Sequence, residues 1–429
     1  MNKEEIFNYC KNISKKEEIT FKYIKSESEK AEFRNFSIEN YKMNNIDKLF
    51  IRVIDKGKIG SYSIQGITKE KIEKGIKKAK DIAKNKKSEV KFESFGKDVN
   101  HKQIKSDFRI ENVDFSKKLE EIKKNLTKDK YIQGYLGGIS KNHIESFFIN
   151  PYFSKENKKD FVSLSSLVIT KNKKKSSGDF FSIFTKEEDI DINQTFMQAK
   201  HNAYTLMDPV NGEKGEYTLI FTPEITREFF EFILSGTKGE AIEKKNSFLH
   251  DSLGKKIFSE NINLKEEPTL DYFLSSSKID DEGFKTSKKN IINKGVFRKP
   301  IYNLYESIKY NKKPTGNAFL ENGFDPEYTN IIQEASNKKI DDMISKTKKG
   351  ILIYEILGFH TNKITTGDFS LTISSGKAIR DGQFKETVTN LNLTGNLREL
   401  FREIEFSKEQ KFFGSSLYSF SKIQKVKLI

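Results

Sequence analysis

The chain has 429 residues, too many for one ordinary core, so two domains are expected. Its 36 Phe and 16 Tyr supply ample core material and exclude a disordered chain, although only 35% of residues are hydrophobic. The net charge of +16 invites a nucleic-acid partner, but Lys is scattered beside Glu and Asp, no run interleaves bases with aromatics, and the charge reads as a Lys-rich surface.

Residues 2–13 read as a short helix holding Cys10, the single cysteine, so no disulfide forms within the chain and a reducing compartment is expected. The opening "MNKEEIFNYCKN" has no apolar core of a signal peptide, and no run reaches the roughly 18 apolar residues of a membrane span. A cytoplasmic protein with no membrane partner is the expectation. Residues 19–27, 31–43 and 48–57 alternate with the period of strands, and 58–66 follows after a tight turn. Thr68 is placed to cap a helix whose Ile72, Ile76 and Ala79 share one face. Residues 86–112 carry no clear period. A helix is expected over 115–125, then strands within 137–150, 160–172 and 177–186, and a helix near 192–206.

"MDPVNGEKG" (207–215) is a Pro/Asn/Gly cluster and marks the boundary between domains 1–210 and 211–429. A strand at 216–221 leads to Thr222-Pro223, an N-cap followed by Pro at the first helical position. Ile225, Phe229, Phe232 and Ile233 form the apolar stripe of that helix, and Gly236 ends it. Asp381-Gly382 signals a two-residue hairpin. Asn396 with Glu399 has the spacing of a capping box, and an alternating strand closes the chain. Strands in series followed by helices indicate an α+β fold rather than alternating βαβ units. No internal repeat of fixed period is visible.

A zinc site needs several His, Cys or carboxylate ligands converging on one ion. His101, His143, His201, His250 and His360 are far apart in sequence, and HExxH, CxxC, GxSxG and phosphate-loop motifs are absent. "KIDDEGF" places Asp280, Asp281 and Glu282 in a row, a weak candidate cation cluster whose alternative is a turn bonding its own N–H groups. "HTNKITTGDFSLTISSG" (360–376) surrounds His360 with polar residues, but no acid, Cys or second His adjoins it. "PTGNAF" (314–319) and "TGN" (394–396) read as turn and cap chemistry.

These segments, in this order, resemble the TldD/PmbA (TldD/TldE) family over nearly the whole chain. The resemblance rests on "IRVIDKGKIGSYSIQGITKEKIEKGIKKAKDIA", "YTLIFTPE", "SFLHDSLGKKI", "IDDEGF", "NKGVFRKPIYNLYESIKY", "PTGNAF", "HTNKITTGDFSLTISSGKAIRDG" and "VTNLNLTGNLRELFREIEF". It implies an N-terminal curved antiparallel sheet with helices and a strand-rich mixed C-terminal domain with several helices. The TldD kind carries HExxxH on the helix after the "TPE" turn, with a zinc-ligating Cys near the C-terminus. Here that helix reads "TREFFEFILSG" and the C-terminal segment has no Cys, as in the TldE (PmbA) kind.

The resemblance therefore implies a non-catalytic subunit with no cofactor of its own. A TldD-like partner would supply zinc and act on unfolded peptides, and a homodimer is the alternative assembly. By the same resemblance His360, Thr361, Asn362, Thr366, Asp368 and Asn396 would contact peptide or partner. Two other readings stay open. One is a stand-alone hydrolase built from His360, Asp368 and the Asp280–Glu282 run. The other is a gyrase- or nucleic-acid-associated binding protein, as the family's older name, modulator of DNA gyrase, suggests.

Overall fold

The computed structural model describes residues 1–97, 108–320 and 325–429, so His101 lies outside the described residues. The first half runs α1 (Lys3–Ser14), β1 (Ile19–Asn35), β2 (Ser37–Asp55), β3 (Lys58–Gln65), α2 (Lys69–Asn85), α3 (Phe115–Asn125), β4 (Ile132–Ile149), β5 (Ser154–Lys171), β6 (Lys175–Phe184) and α4 (Ile192–Thr205). Its six strands form one antiparallel sheet in the order β3-β2-β1-β4-β5-β6.

Alternate residues of these long strands face one helix layer, as the two-residue period of a strand requires. Phe21, Tyr23, Leu49 and Phe147 pack under α1 and α2, with Ile6, Cys10, Ile72 and Ala79. At the far end, Phe33, Tyr135 and Leu164 pack with Ile122, Phe196 and Ala199 of α3 and α4. Burial pushes the Cys10 thiol up, so the lone cysteine serves as packing.

The order α-β-β-β-α thus occurs twice, related by a pseudo-dyad between β1 and β4. The offset varies, from Lys3 to Phe115 for the first helices and from Lys69 to Ile192 for the last, so no fixed period betrays it. The strand boundaries also differ from expectation. The chain does not break at 28–30, and the expected strand 31–43 folds back on itself at Asn35–Ser37. Asn35 takes a left-handed φ of 54°, which Asn tolerates better than most residues.

The second half holds β7 (Val210–Asn211), β8 (Gly215–Phe221), α5 (Pro223–Ser235), α6 (Gly239–Glu243), β9 (Leu264–Glu266), β10 (Lys289–Asn293), β11 (Val296–Phe297), α7 (Leu304–Lys309) and β12 (Ile331–Gln333). It continues with α8 (Ile340–Ser345), β13 (Lys349–Leu357), β14 (Asp368–Arg380), β15 (Gln383–Thr389), β16 (Leu391–Asn396), α9 (Leu397–Leu400), β17 (Glu405–Phe412) and β18 (Ser416–Leu428). The twelve strands among the described residues of this half form one mixed sheet. At its centre β8 lies antiparallel to β18 and parallel to β13.

One face of that centre is covered by α5. Pro223 occupies the first turn, where its missing N–H costs nothing, although the Thr222 hydroxyl makes no capping bond. Ile225, Phe229, Phe230 and Ile233 are buried against Leu219, Phe221, Ile353 and Tyr418. The other face is closed by α8, where Met343 meets Ile220, Leu352 and Ile379. The expected capping box is not formed as drawn: α9 is a single turn, and the Asn396 side chain accepts from Arg398 N.

Candidate functional site

The segments singled out in the sequence gather in two places. The first joins the two halves. Asp280 accepts from three backbone N–H groups, those of Glu282 (3.0 Å), Phe284 (2.9 Å) and Ala318 (3.1 Å). Asp281 Oδ2 accepts from Leu320 N (2.9 Å) and binds Lys22 Nζ of β1 at 2.5 Å. Glu282 Oε1 binds Arg52 Nη1 of β2 at 2.7 Å, while its Oε2 accepts from Leu304 N at 2.6 Å. Lys155 of β5 donates to Ile279 O at 2.5 Å. Thus Arg52 of "IRVID", the acidic run, Leu304 of "NLYE" and Ala318 of "PTGNAF" meet in one buried network.

Each of the three carboxylates is taken up by its own donors. Among the described residues no three His, Cys, Asp or Glu side chains converge as a cation would need. The run is built as an ionic clasp from cations that lie more than two hundred residues away. Burial would raise Asp281, but Lys22 and Lys155 override it and hold the carboxyl below its ordinary value. Asp280 goes the other way: burial, then Glu282 beside it, push it up to about 7 against its three backbone bonds.

The turn is fixed by backbone contact as well. Gly96 N donates to Glu282 O at 2.8 Å, and Gly283 has φ 88°. A Cβ on Gly283 would stand 2.5 Å from Gly96 O. Gly283→Ala is therefore expected to cost about 1–3 kcal/mol, from left-handed strain plus loss of this approach. A lowered urea midpoint, with the second sheet's spectroscopic signature unchanged, is the result to look for.

The second place holds the "HTNKITTGDFS" segment. A 3₁₀ turn at Phe359–Thr361 follows Gly358 and is pinned by Phe359, whose ring meets Phe229 of α5 edge-on at 4.9 Å. His360 is exposed. Asn362 Oδ1 accepts from Ser370 N at 3.3 Å, and its Nδ2 has no hydrogen-bond partner among the described residues. Asn396 Nδ2 donates to Thr366 O (3.0 Å) and to Asp368 Oδ1 (2.8 Å). Bonds from Asn396 and then Thr366 hold Asp368 below its ordinary value.

This pairing follows from sheet register, since Asp368 stands opposite Asn396 across β14 and β16. Arg398 then reaches Ser252 Oγ (2.9 Å), Asp251 Oδ1 (3.1 Å) and Phe248 O, which ties in "SFLHDS". So Thr366, Asp368 and Asn396 come together, Asn362 sits nearby, and His360 stands apart on the surface. The hydrogen bonds of this group share no residue with those of the clasp.

A third group, on and around α5, escaped sequence reasoning. Arg227 Nε pairs with Glu231 at 2.7 Å, and Lys411 Nζ pairs with Glu224 at 2.6 Å. Lys411 also lies 3.5 Å over the Phe180 ring of β6, so this corner spans both halves. Glu228 is exposed by surface area, yet neighbouring atoms desolvate its carboxyl and push it up to about 7; Arg227 opposes, while Glu231, Glu224 and Glu355 add. No spacing in the sequence joins this helix to Phe180, Glu355 and Lys411, which come from three separate strands.

The zinc implied by the TldD kind can be tested against this helix. Across Thr226–Gly236 the side chains are Arg, Glu, Phe, Ile, Leu and small polar groups, without His or Cys. A guanidinium paired to Glu231 occupies the face, and β18 offers no Cys. With no His or Cys on it, and with no three carboxylates converging among the described residues, this helix does not fit a zinc ion.

The geometry defines a class: a two-sheet α+β chain that keeps the helix after the Thr-Pro turn but carries no metal-ligand set on it. Residues 214–428 match the PmbA/TldA metallopeptidase C-terminal domain, and residues 22–83 match PmbA/TldA metallopeptidase domain 1. The chain belongs to the PmbA/TldD family.

It is 26% identical over 409 residues to the Metalloprotease PmbA homolog of Buchnera aphidicola from Acyrthosiphon pisum, covering 92% of this chain and 88% of that one. It is 24% identical to Metalloprotease PmbA of Escherichia coli O157:H7, covering 86% and 82%. A solved structure from Thermotoga maritima, provisionally named a modulator of a DNA gyrase, superposes with a TM-score of 0.89 at 21% identity over 100% of both chains. TldE from Thermococcus kodakarensis gives 0.86 at 21% identity over 99% of both. At that identity the solved structures speak for the fold. No helix among the described residues is long and apolar enough to cross a membrane.

Proposed function

We propose that this chain is a non-catalytic, TldE/PmbA-like subunit of a cytoplasmic zinc metallopeptidase complex that degrades or processes unfolded peptides. The observation that carries the reading is the α5 helix. Where the TldD kind has HExxxH, this chain has the Arg227–Glu231 ion pair. A lone Glu228 or Glu231 has no metal-bound water to activate. The TldD-like partner supplies zinc, and this chain contributes walls and peptide contacts. Thr366, Asp368 and Asn396 form a polar edge suited to meeting an extended peptide or the partner, and His360, apart from them, is exposed on the same segment.

The test is zinc content and peptidase activity on an unfolded peptide, first for the purified chain and then with a TldD-like chain added. The expected result is zinc well below one per chain and no cleavage alone, then cleavage when the partner is present. Chelator-sensitive cleavage by this chain alone, with zinc near one per chain, would sink the proposal.

A further inference from the structure

We infer that the cavity between the two halves, beside the ionic clasp, is a binding site for a small oxyanion of the carboxylate or phosphate type. The cavity measures about 170 Å³ and lies between the sheet face of β1, β4 and β5 and the loop before the acidic run. Lys22, Lys155 and Lys159 line it, together with Asn157, Ser275 and the Tyr328 ring. Among the described residues its wall carries those three ammonium groups against two carboxylates, Asp281 and Glu327. Glu327 is shared with Lys238, which lies outside the wall.

Three like charges around one partly desolvated space repel each other more strongly than they would in water. At Lys155 desolvation is the largest influence, and the neighbouring ammonium groups add to it. Lys155 lines the cavity with 22% of its side-chain surface accessible, and desolvation pushes its ammonium down to about 8. Asp281 and Asp280 oppose that shift, while Lys22 and Lys159 deepen it. An anion placed among the three would relieve the repulsion and accept hydrogen bonds from them, as ammonium groups do for carboxylate and phosphate oxygens. The volume suits an anionic group or the end of a chain, not a nucleotide. The site uses none of the groups assigned to α5 or to the His360 segment, so it stands whether or not the chain is a peptidase subunit.

The test is calorimetric titration at low ionic strength with inorganic phosphate, with N-acetyl-trialanine bearing a free carboxylate, and with its C-terminal amide. Saturable binding of phosphate or of the free acid, and none of the amide, is expected. Binding of the free acid marks a peptide end as the source, and binding of phosphate alone marks a free ion. Lys155→Met and Lys159→Met should each weaken binding at least about tenfold, the loss of one charge-assisted hydrogen bond. Lys159→Met leaves the Lys22–Asp281 and Lys155–Ile279 bonds in place, so its loss of affinity would not reflect a broken clasp. No saturable binding of either anion, equal binding of the amide, or wild-type affinity in Lys159→Met would overturn the inference.

Discussion

Arg52→Met should destabilise the chain by about 3–5 kcal/mol, because it strands a buried carboxylate. Glu282 is 0% exposed and Arg52 only 7% exposed. Removing the guanidinium leaves Glu282 with the Leu304 N–H as its remaining described donor, at 2.6 Å. One neutral donor does not offset the desolvation of an ionised carboxylate. The double variant Arg52→Met/Glu282→Gln removes both charges and keeps an acceptor for Leu304, so it should recover much of the loss. Denaturant unfolding of the wild type, both single variants and the double variant gives the coupling directly. If Arg52→Met alone unfolds like the wild type, the pair is no clasp. Because Arg52 lies in the first sheet and Glu282 in the second half, limited proteolysis should also release the two halves at lower urea in Arg52→Met.

Those same residues show where sequence reasoning stops. The elements with local causes were legible. The Lys56-Gly57 and Asp381-Gly382 turns both have positive φ at the two central residues, with Gly supplying the second in each. The α2 helix starts at the Thr68 cap, with Thr68 Oγ1 accepting from Lys71 N. The α5 helix starts at Thr222-Pro223 as expected, and Phe229 and Ile233 are buried.

The acidic run could be read only as a turn or a cation cluster, because Arg52 is 230 residues from Glu282 and Lys22 is 259 from Asp281. Nothing in "IDDEGF" itself announces three distant cations. The Asp368–Asn396 contact was hidden for a related reason: it depends on the register of β14 with β16, which a list of polar residues does not contain. The β1–β2 hairpin was misdivided because its middle, from Lys25 to Lys30 and from Asn40 to Asn45, is deeply buried on neither face, with even Tyr41 and Met43 exposed. Alternation fails as a signal where neither face is deeply buried.

Phe229→Ala is the second large effect expected, again about 3–5 kcal/mol, as for a fully buried aromatic truncated in a close-packed core. Phe229 is 1% exposed, and its ring meets those of Phe221 (5.1 Å), Phe401 (5.4 Å), Phe369 (5.9 Å) and Phe359 (4.9 Å). These four come from β8, the end of α9, β14 and the 3₁₀ turn before His360. One truncation therefore opens a void that no single neighbour can fill, and the rings lose edge-to-face contacts beyond their burial. The consequence reaches the polar edge, because Phe359 anchors the turn that carries His360, and Phe369 follows Asp368. Hydrogen exchange should then speed up over residues 359–370 and along α5, more than in the first sheet. Phe229→Leu keeps much of the volume and should cost clearly less while sparing the turn. Equal exchange in Phe229→Ala and wild type over residues 359–370 would show that the polar edge is held by the Asn396 bonds alone. The proposed peptide- or partner-contacting surface would then be independent of the helix that replaces the zinc motif.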